Sequence, residues 1–266
     1  MRLAGRVVAV TGGGQGLGAE IAREAARRGA AGVGVIDLDE DSARGVAEEL
    51  GGAAAAGDVG SEESLRAAIA IIESRVGPID VFVSNAGVTD RASNPFTPDA
   101  AWDRAWRIHA MSNVYAARIL LPGMIARGGG HLVSTASSNA LTTSPIEMAY
   151  AVSKHAQLAV AEWLAMTYAD DGIAVTCFCP KGMKTPMLLA TAAAGNAYAQ
   201  NALESAVTPA EAAAICLDAV EADRFMAVTT TKVADEFALK GRDYEAWIAQ
   251  ARRMHAEFAP TAGRPA

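Results

Sequence analysis

The octapeptide TGGGQGLG, Thr11 to Gly18, sits directly behind the apolar run RVVAVT and opens a helical segment. A strand that ends in a glycine-rich turn and runs into a helix lets backbone N–H groups approach a pyrophosphate at the helix N-terminus. Gly12, Gly16 and Gly18, with Gln15 and Leu17 among them, are therefore candidate cofactor-binding residues. Asp37 closes the next apolar run, AGVGVID. It lies about 20 positions further on, where a carboxylate accepts hydrogen bonds from the ribose hydroxyls of an adenosine. The same acid favours NAD over NADP. A 2′-phosphate would meet like charge there, and Gly13, Gly14 and Gln15 offer no cation in return.

The rest of the chain repeats this alternation. RVVAVT, AGVGVID, AAAAGDV, IDVFVSN, HLVSTA, IAVTCFC and FMAVTT are candidate strands separated by helical segments. The pattern predicts an α/β chain with a single doubly wound parallel sheet of about seven strands and helices on both faces. AAAAGDV is weak by propensity, and only its place in the rhythm recommends it. Ser61 ahead of Glu62 and Glu63, Thr97 before Pro98, and Thr208 before Pro209 read as helix starts. Gly29 and the pair Gly51 and Gly52 read as helix stops. No repeat or linker divides residues 1–266, so one dinucleotide-binding and catalytic domain is expected. The alanine-rich stretch from Thr191 to Ala206 reads as a mobile helical flap. A helical C-terminal segment over about 231–258 carries Phe237, Tyr244, Trp247 and Ile248, apolar faces that pack on the body or a partner subunit, or cover a pocket.

Charge and composition exclude some partners. With 23 Lys+Arg against 30 Asp+Glu and no basic cluster, nucleic acid is not expected. No apolar run reaches the length of a membrane helix or the form of a secretory leader. Cys177, Cys179 and Cys216 lie in apolar segments and read as packing residues, so no metal is expected and a reducing cytoplasm fits.

Tyr150 and Lys154 are one turn apart on one helical face. A phenol titrates near 10, so a base working near neutrality needs its phenolate stabilised by roughly 3 units, or about 4 kcal/mol. A neighbouring ammonium is one source. Upstream, HLVSTA leads to Ser137 at the end of a strand, with Ser138 the second choice. The glycine loop, the acid after strand two, SNAG at Ser84 to Gly87, the serine, Y-x-x-x-K and a later proline-threonine segment occur in an order that resembles the short-chain dehydrogenase/reductase family.

That resemblance implies that Tyr150 is the acid/base, that Lys154 holds the nicotinamide ribose and lowers the tyrosine pKa, and that Ser137 hydrogen-bonds the substrate oxygen. It places Asp58 and Val59 at the adenine, Asn85 near the cofactor ribose with Ala86 and Gly87 beside it, and Thr185 at the carboxamide with Met183 supplying backbone. It also implies a homodimer or homotetramer built on the long helices flanking Ser137. The substrate is a secondary alcohol or ketone. Ala140, Thr142, Thr143, Ile146, Met148, Met187, Leu188 and Leu189 are the expected pocket walls, a mostly apolar set suited to an aromatic, alicyclic or steroid-like molecule. An NADP-linked carbonyl reductase and a catalytically silent NAD-binding sensor are the alternatives. Two departures stand out. His109, in WRIHAMSNVYAARILLPGM, occupies the position of a helical asparagine that anchors a water near the lysine, with Asn113 one turn on. It is a catalytic candidate whose titration would add a second pH dependence. Lys181, in CPKGMKTPM, reads as a solvent-facing loop charge.

Overall fold

The structure, a computed structural model, describes residues 1–89, 93–143, 147–193, 195 and 197–258. Each apolar run forms a strand: β1 (Val7–Thr11), β2 (Gly32–Asp37), β3 (Ala53–Ala56), β4 (Val81–Ser84), β5 (Gly130–Thr135), β6 (Ile173–Cys179) and β7 (Met226–Val228). They make one parallel sheet in the order β3-β2-β1-β4-β5-β6-β7. The winding reverses between β1 and β4, and ligands of such sheets bind in the crevice outside the C-terminal strand ends at that point. Thr11, Asp37, Ser84, Thr135 and Cys179 therefore share one edge.

The helices are α1 (Gly16–Arg27), α2 (Glu40–Leu50), α3 (Glu62–Val76), α4 (Asp99–Trp106), α5 (Ser112–Ala126), α6 (Met148–Thr167), α7 (Pro186–Ala193), α8 (Ala197–Glu204), α9 (Pro209–Glu221), α10 (Thr231–Arg242) and α11 (Tyr244–Phe258). Two apolar cores cover the sheet. Ile72, Phe82, Met124 and Leu158 lie on the side of α3, α5 and α6, and Ile21, Val33, Phe178 and Leu217 on the side of α1, α2 and α9. The all-alanine β3 exists because β2 pairs with it from Gly34↔Ala53 to Asp37↔Ala56. Gly34 lets α3 lie close, since a Cβ there would fall 2.3 Å from Ile72 Cγ2.

Ser61 caps α3, Thr208 and Glu211 form a reciprocal capping box on α9, and Gly51 ends α2 at φ +62°. Thr97 is not a cap: α4 begins behind Pro98 without a side-chain cap, and the Thr97 hydroxyl accepts the Asn94 N–H. The alanine-rich stretch forms α7 and α8, and its base is closed where Met183 bridges Val207.

The C-terminal helices pack on the body of the same chain. Val233 and Trp247 are the buried residues, whereas Phe237, Tyr244 and Ile248 are exposed. Lys240 donates to Leu141 O (2.9 Å), lies 3.2 Å from His155 Nε2 and sits 4.9 Å from the Trp247 ring centroid. Lys181 is not a solvent-facing charge, because it pairs with Glu236 of α10 at 3.3 Å and ties the loop after β6 to this segment. Among the described residues no helix is long and apolar enough to cross a membrane.

Candidate active site

The glycine turn is dictated by close approach. Gly12 has φ +61°, and a Cβ there would lie 2.9 Å from Ala86 Cα. A Cβ on Gly18 would fall 2.0 Å from Gly12 O. The N-terminus of α1 has no side-chain cap and no acid in its first turn, so its free N–H groups and positive dipole end face outward. A Cβ on Gly16 would meet nothing within 4 Å. A pyrophosphate fits such a turn. Asp37 Oδ2 accepts the Gly14 N–H at 2.9 Å and Oδ1 the Asp39 N–H at 3.2 Å, which fixes the carboxylate at the end of β2 with lone pairs left for a diol.

The other cofactor candidates take mixed positions. Asp58 lies on the surface and accepts the Gly60 N–H, and Val59 is buried beside it. Asn85 donates to the carbonyls of Thr11 (3.0 Å) and Gly12 (3.2 Å), so its amide nitrogen ties the glycine turn to β4. The Ala86 N–H donates to the Thr11 hydroxyl. Gly87 leaves room between two candidates, since a Cβ on it would lie 3.4 Å from His109 Nε2 and 3.8 Å from Lys154 Nζ. Thr185 caps α7 by accepting the Leu188 N–H, and its own N–H donates to Met183 O.

Ser137 accepts the Asn139 N–H, and its hydroxyl is near enough to the Tyr150 phenol to favour the ionised form. Tyr150 as a whole is half-buried, yet desolvation of its phenol pushes it up to about 12; the Ser137 hydroxyl pulls it down, and Glu147 adds to the rise. Lys154 lies 5.5 Å from the Tyr150 ring centroid and is buried, which draws its ammonium down to about 7. Its Nζ donates to Thr135 O (3.0 Å) and Gln157 Oε1 (2.8 Å). Of the expected pocket walls, Ala140 and Thr142 are buried, while Thr143, Met148 and Leu189 are exposed. Leu188 is partly buried; Ile146 and the Met187 side chain lie outside the described residues.

His109 sits in a π-helical turn, Arg107–Met111, between α4 and α5. The widened turn hands the carbonyls of Ile108 and His109 to the Ser112 hydroxyl (2.6 Å) and the Asn113 amide (2.7 Å). His109 Nε2 accepts the Val88 N–H at 3.0 Å, so the ring proton is on Nδ1, which donates to Ser153 Oγ at 2.9 Å. Ser153 Oγ donates in turn to Tyr150 O. The ring meets Tyr150 edge-on, with centroids 5.3 Å apart. Burial, helped by the Lys154 charge, holds His109 down to about 2. It therefore adds no pH dependence near neutrality, contrary to the expectation from sequence, and both ring nitrogens are already engaged. Gln157 and Ser153 were missed in the sequence, although each stands within a turn of Tyr150 or Lys154 on the same helix.

The short chain dehydrogenase family profile matches residues 6–195. The chain belongs to that family. As a short-chain dehydrogenase it is an oxidoreductase of alcohols or ketones built on a nicotinamide-binding sheet. It is 36% identical over 184 residues to 2-(S)-hydroxypropyl-CoM dehydrogenase 3 of Xanthobacter autotrophicus, covering 67% of this chain and 72% of the relative. It is 31% identical over 233 residues to 1-deoxy-11-beta-hydroxypentalenate dehydrogenase of Streptomyces exfoliatus, covering 85% and 83%. A short chain dehydrogenase/reductase from Burkholderia phymatum, solved with NAD, superposes with a TM-score of 0.83 at 22% identity, covering 92% and 96%, a likeness of fold.

Two buried histidines should make the fold of this dehydrogenase acid-labile. His109 is held down to about 2 and His131 to about 4, both chiefly by burial. Histidine in the unfolded chain titrates near 6.5. Because the folded values are depressed, the unfolded chain binds more protons, and stability complete above about pH 6.5 is lost as pH falls through the window down to those values. At pH 5 each site removes roughly 2 kcal/mol. The urea midpoint should fall clearly between pH 7.5 and 5, and less so in His131→Gln; a flat midpoint contradicts the assignment.

Proposed function

We propose that this short-chain dehydrogenase moves a hydride between NAD and a secondary alcohol or its ketone, with Tyr150 as acid/base, Ser137 holding the substrate oxygen and Lys154 supplying the positive charge. The observation that carries the reading is the Ser137 hydroxyl easing the Tyr150 phenol toward its ionised form, one helical turn from Lys154, whose ammonium stands beside Gly87. In the oxidation direction Tyr150 takes the hydroxyl proton; in reduction it gives one to the developing alkoxide. Nicotinamide, when bound, supplies the hydride acceptor or donor. The α1 N-terminus would hold the pyrophosphate and Asp37 the adenosine ribose, with Thr185 and the Met183 backbone toward the carboxamide, Asp58 and Val59 toward the adenine, and Asn85 to Gly87 toward the ribose on the nicotinamide side. His109 is a positioning residue that acts through Ser153 and the Tyr150 backbone.

NAD is favoured by the acids around the second strand end. Asp37 is followed by Asp39, Glu40 and Asp41, and the nearby Arg44 is already paired with Asp41. A 2′-phosphate finds like charge and no free guanidinium in that stretch. The apolar character of Ala140 and Leu188 suits a hydrophobic substrate, and a relative acting on hydroxypentalenate agrees with an alicyclic one. Val152, Trp163 and Met166 stand exposed along α6, which favours a homo-oligomer that covers them. Three buried free thiols suit a reducing cytoplasm.

Absorbance at 340 nm over a panel of secondary alcohols, with NAD and NADP in parallel, tests the reading. The expected result is turnover of hydrophobic alcohols with kcat/KM at least tenfold higher for NAD. Turnover confined to polyols or sugar phosphates, or preference for NADP, overturns it.

A further inference from the structure

Gln157 lies one turn beyond Lys154 on the same face of α6 and is almost wholly buried, at 1% exposure. Its Nε2 donates to Ser134 Oγ (3.0 Å) and Thr135 O (3.2 Å), while its Oε1 accepts from Lys154 Nζ (2.8 Å). Chemistry permits only this orientation of the amide. An ammonium is purely a donor and a backbone carbonyl purely an acceptor, so the flipped amide would set donor against donor and acceptor against acceptor. An ammonium has three donors. Thr135 O and Gln157 Oε1 take two of them, which fixes the direction of the third.

Among the described residues, the titratable groups that face Lys154 are Tyr150 on its own helix, His109 from the π turn, and Cys177 and Cys179 from β6. None is a carboxylate. A buried ammonium without a counter-ion is stabilised only by neutral acceptors, and hydrogen bonds to the charged form favour that form. We propose that Gln157 is a positioning residue of this dehydrogenase: its locked amide aims the Lys154 ammonium and keeps it charged while the enzyme works. The inference rests on the reading of Lys154 given above. Burial already draws the lysine down to about 7, so any lost acceptor moves its titration through the working range.

The test uses Gln157→Glu, close in shape, and Gln157→Leu, which removes both polar ends. Lys154 is followed by 15N-lysine NMR in the cofactor-free protein, and kcat is measured against pH. In Gln157→Leu the lysine should titrate at least about one unit lower, a tenfold loss of proton affinity. The alkaline limit of kcat should move down with it, and kcat at pH 8 should fall at least tenfold with little change in KM. In Gln157→Glu both should move upward by a similar amount. If Gln157→Leu does not fold, the glutamate variant decides alone. A lysine titration unmoved in Gln157→Glu overturns the proposal, as does a lowered kcat with an unshifted pH profile in both variants. Wild-type protein inactive on every alcohol would defeat the proposed function instead, and the NMR titration would still judge Gln157.

Discussion

Tyr150→Phe is expected to lower kcat about a thousandfold while cofactor affinity stays within a factor of about three, since positioned proton transfer contributes some 10²–10⁴. The substitution removes one oxygen and keeps the ring that packs edge-on against His109, and Ser137 keeps its bond from the Asn139 N–H. The loss therefore reports on the proton, not on the fold. With the phenol up at about 12, the cofactor-free site holds Tyr150 protonated, ready as an acid. As a base it needs help: lowering it to near 9 takes about 4 kcal/mol. A nearby ammonium contributes a part of this, and the Lys154 Nζ lies 5.5 Å from the ring centroid. In the proposed mechanism Lys154 gives this help only while charged, and burial draws its own titration down to about 7. Wild-type oxidation should thus show a pH dependence that Tyr150→Phe flattens. Steady-state rates at 340 nm with calorimetric NAD binding make the check, and a variant within tenfold of wild type removes Tyr150 from the proton path. Should the wild-type protein bind NAD and turn over nothing, the silent-sensor reading takes its place.

The sheet was legible because parallel strands covered on both faces are largely apolar, and RVVAVT, AGVGVID, IDVFVSN and IAVTCFC have that character. β3 was legible only by position, for its alanines carry no strand signal and are held by backbone pairing with β2. Tyr150, Lys154 and Ser137 could be found because their chemistry depends on spacing within a helix or at a strand end. Contacts between distant segments left no such trace. Nothing around Lys181 announces Glu236 on α10, and Asn85 gives no hint that its amide is spent on Thr11 and Gly12. His109 was read as a titrating group because sequence carries no information on burial, which is what suppresses its charge. Gln157 escaped for the same reason: a glutamine in a helix is ordinary until β5 is brought against it.

Gly18→Ala should weaken cofactor binding at least about a hundredfold, for a purely steric reason. The new Cβ would stand 2.0 Å from Gly12 O, 2.6 Å from Asn85 Nδ2 and 2.8 Å from Gly12 C. Two of those atoms are backbone, and the third belongs to the amide that fastens the turn to β4, so no flexible side chain can yield. Either α1 slides away from the turn or the turn opens, and each displaces the helix N-terminus from the position in which its N–H groups converge. Overpacking of this kind costs about 1–3 kcal/mol in stability. The cost to affinity should be larger, at least about a hundredfold in Kd, or some 2.8 kcal/mol. Gly45→Ala supplies the contrast. Gly45 is exposed in the middle of α2, and a Cβ there would meet nothing within 4 Å, so replacement should raise stability by about 0.5–1 kcal/mol and leave binding unchanged. Calorimetric titration with NAD and thermal melts of both variants separate the effects. If Gly18→Ala binds NAD within about threefold of wild type, the pyrophosphate does not rest on this turn.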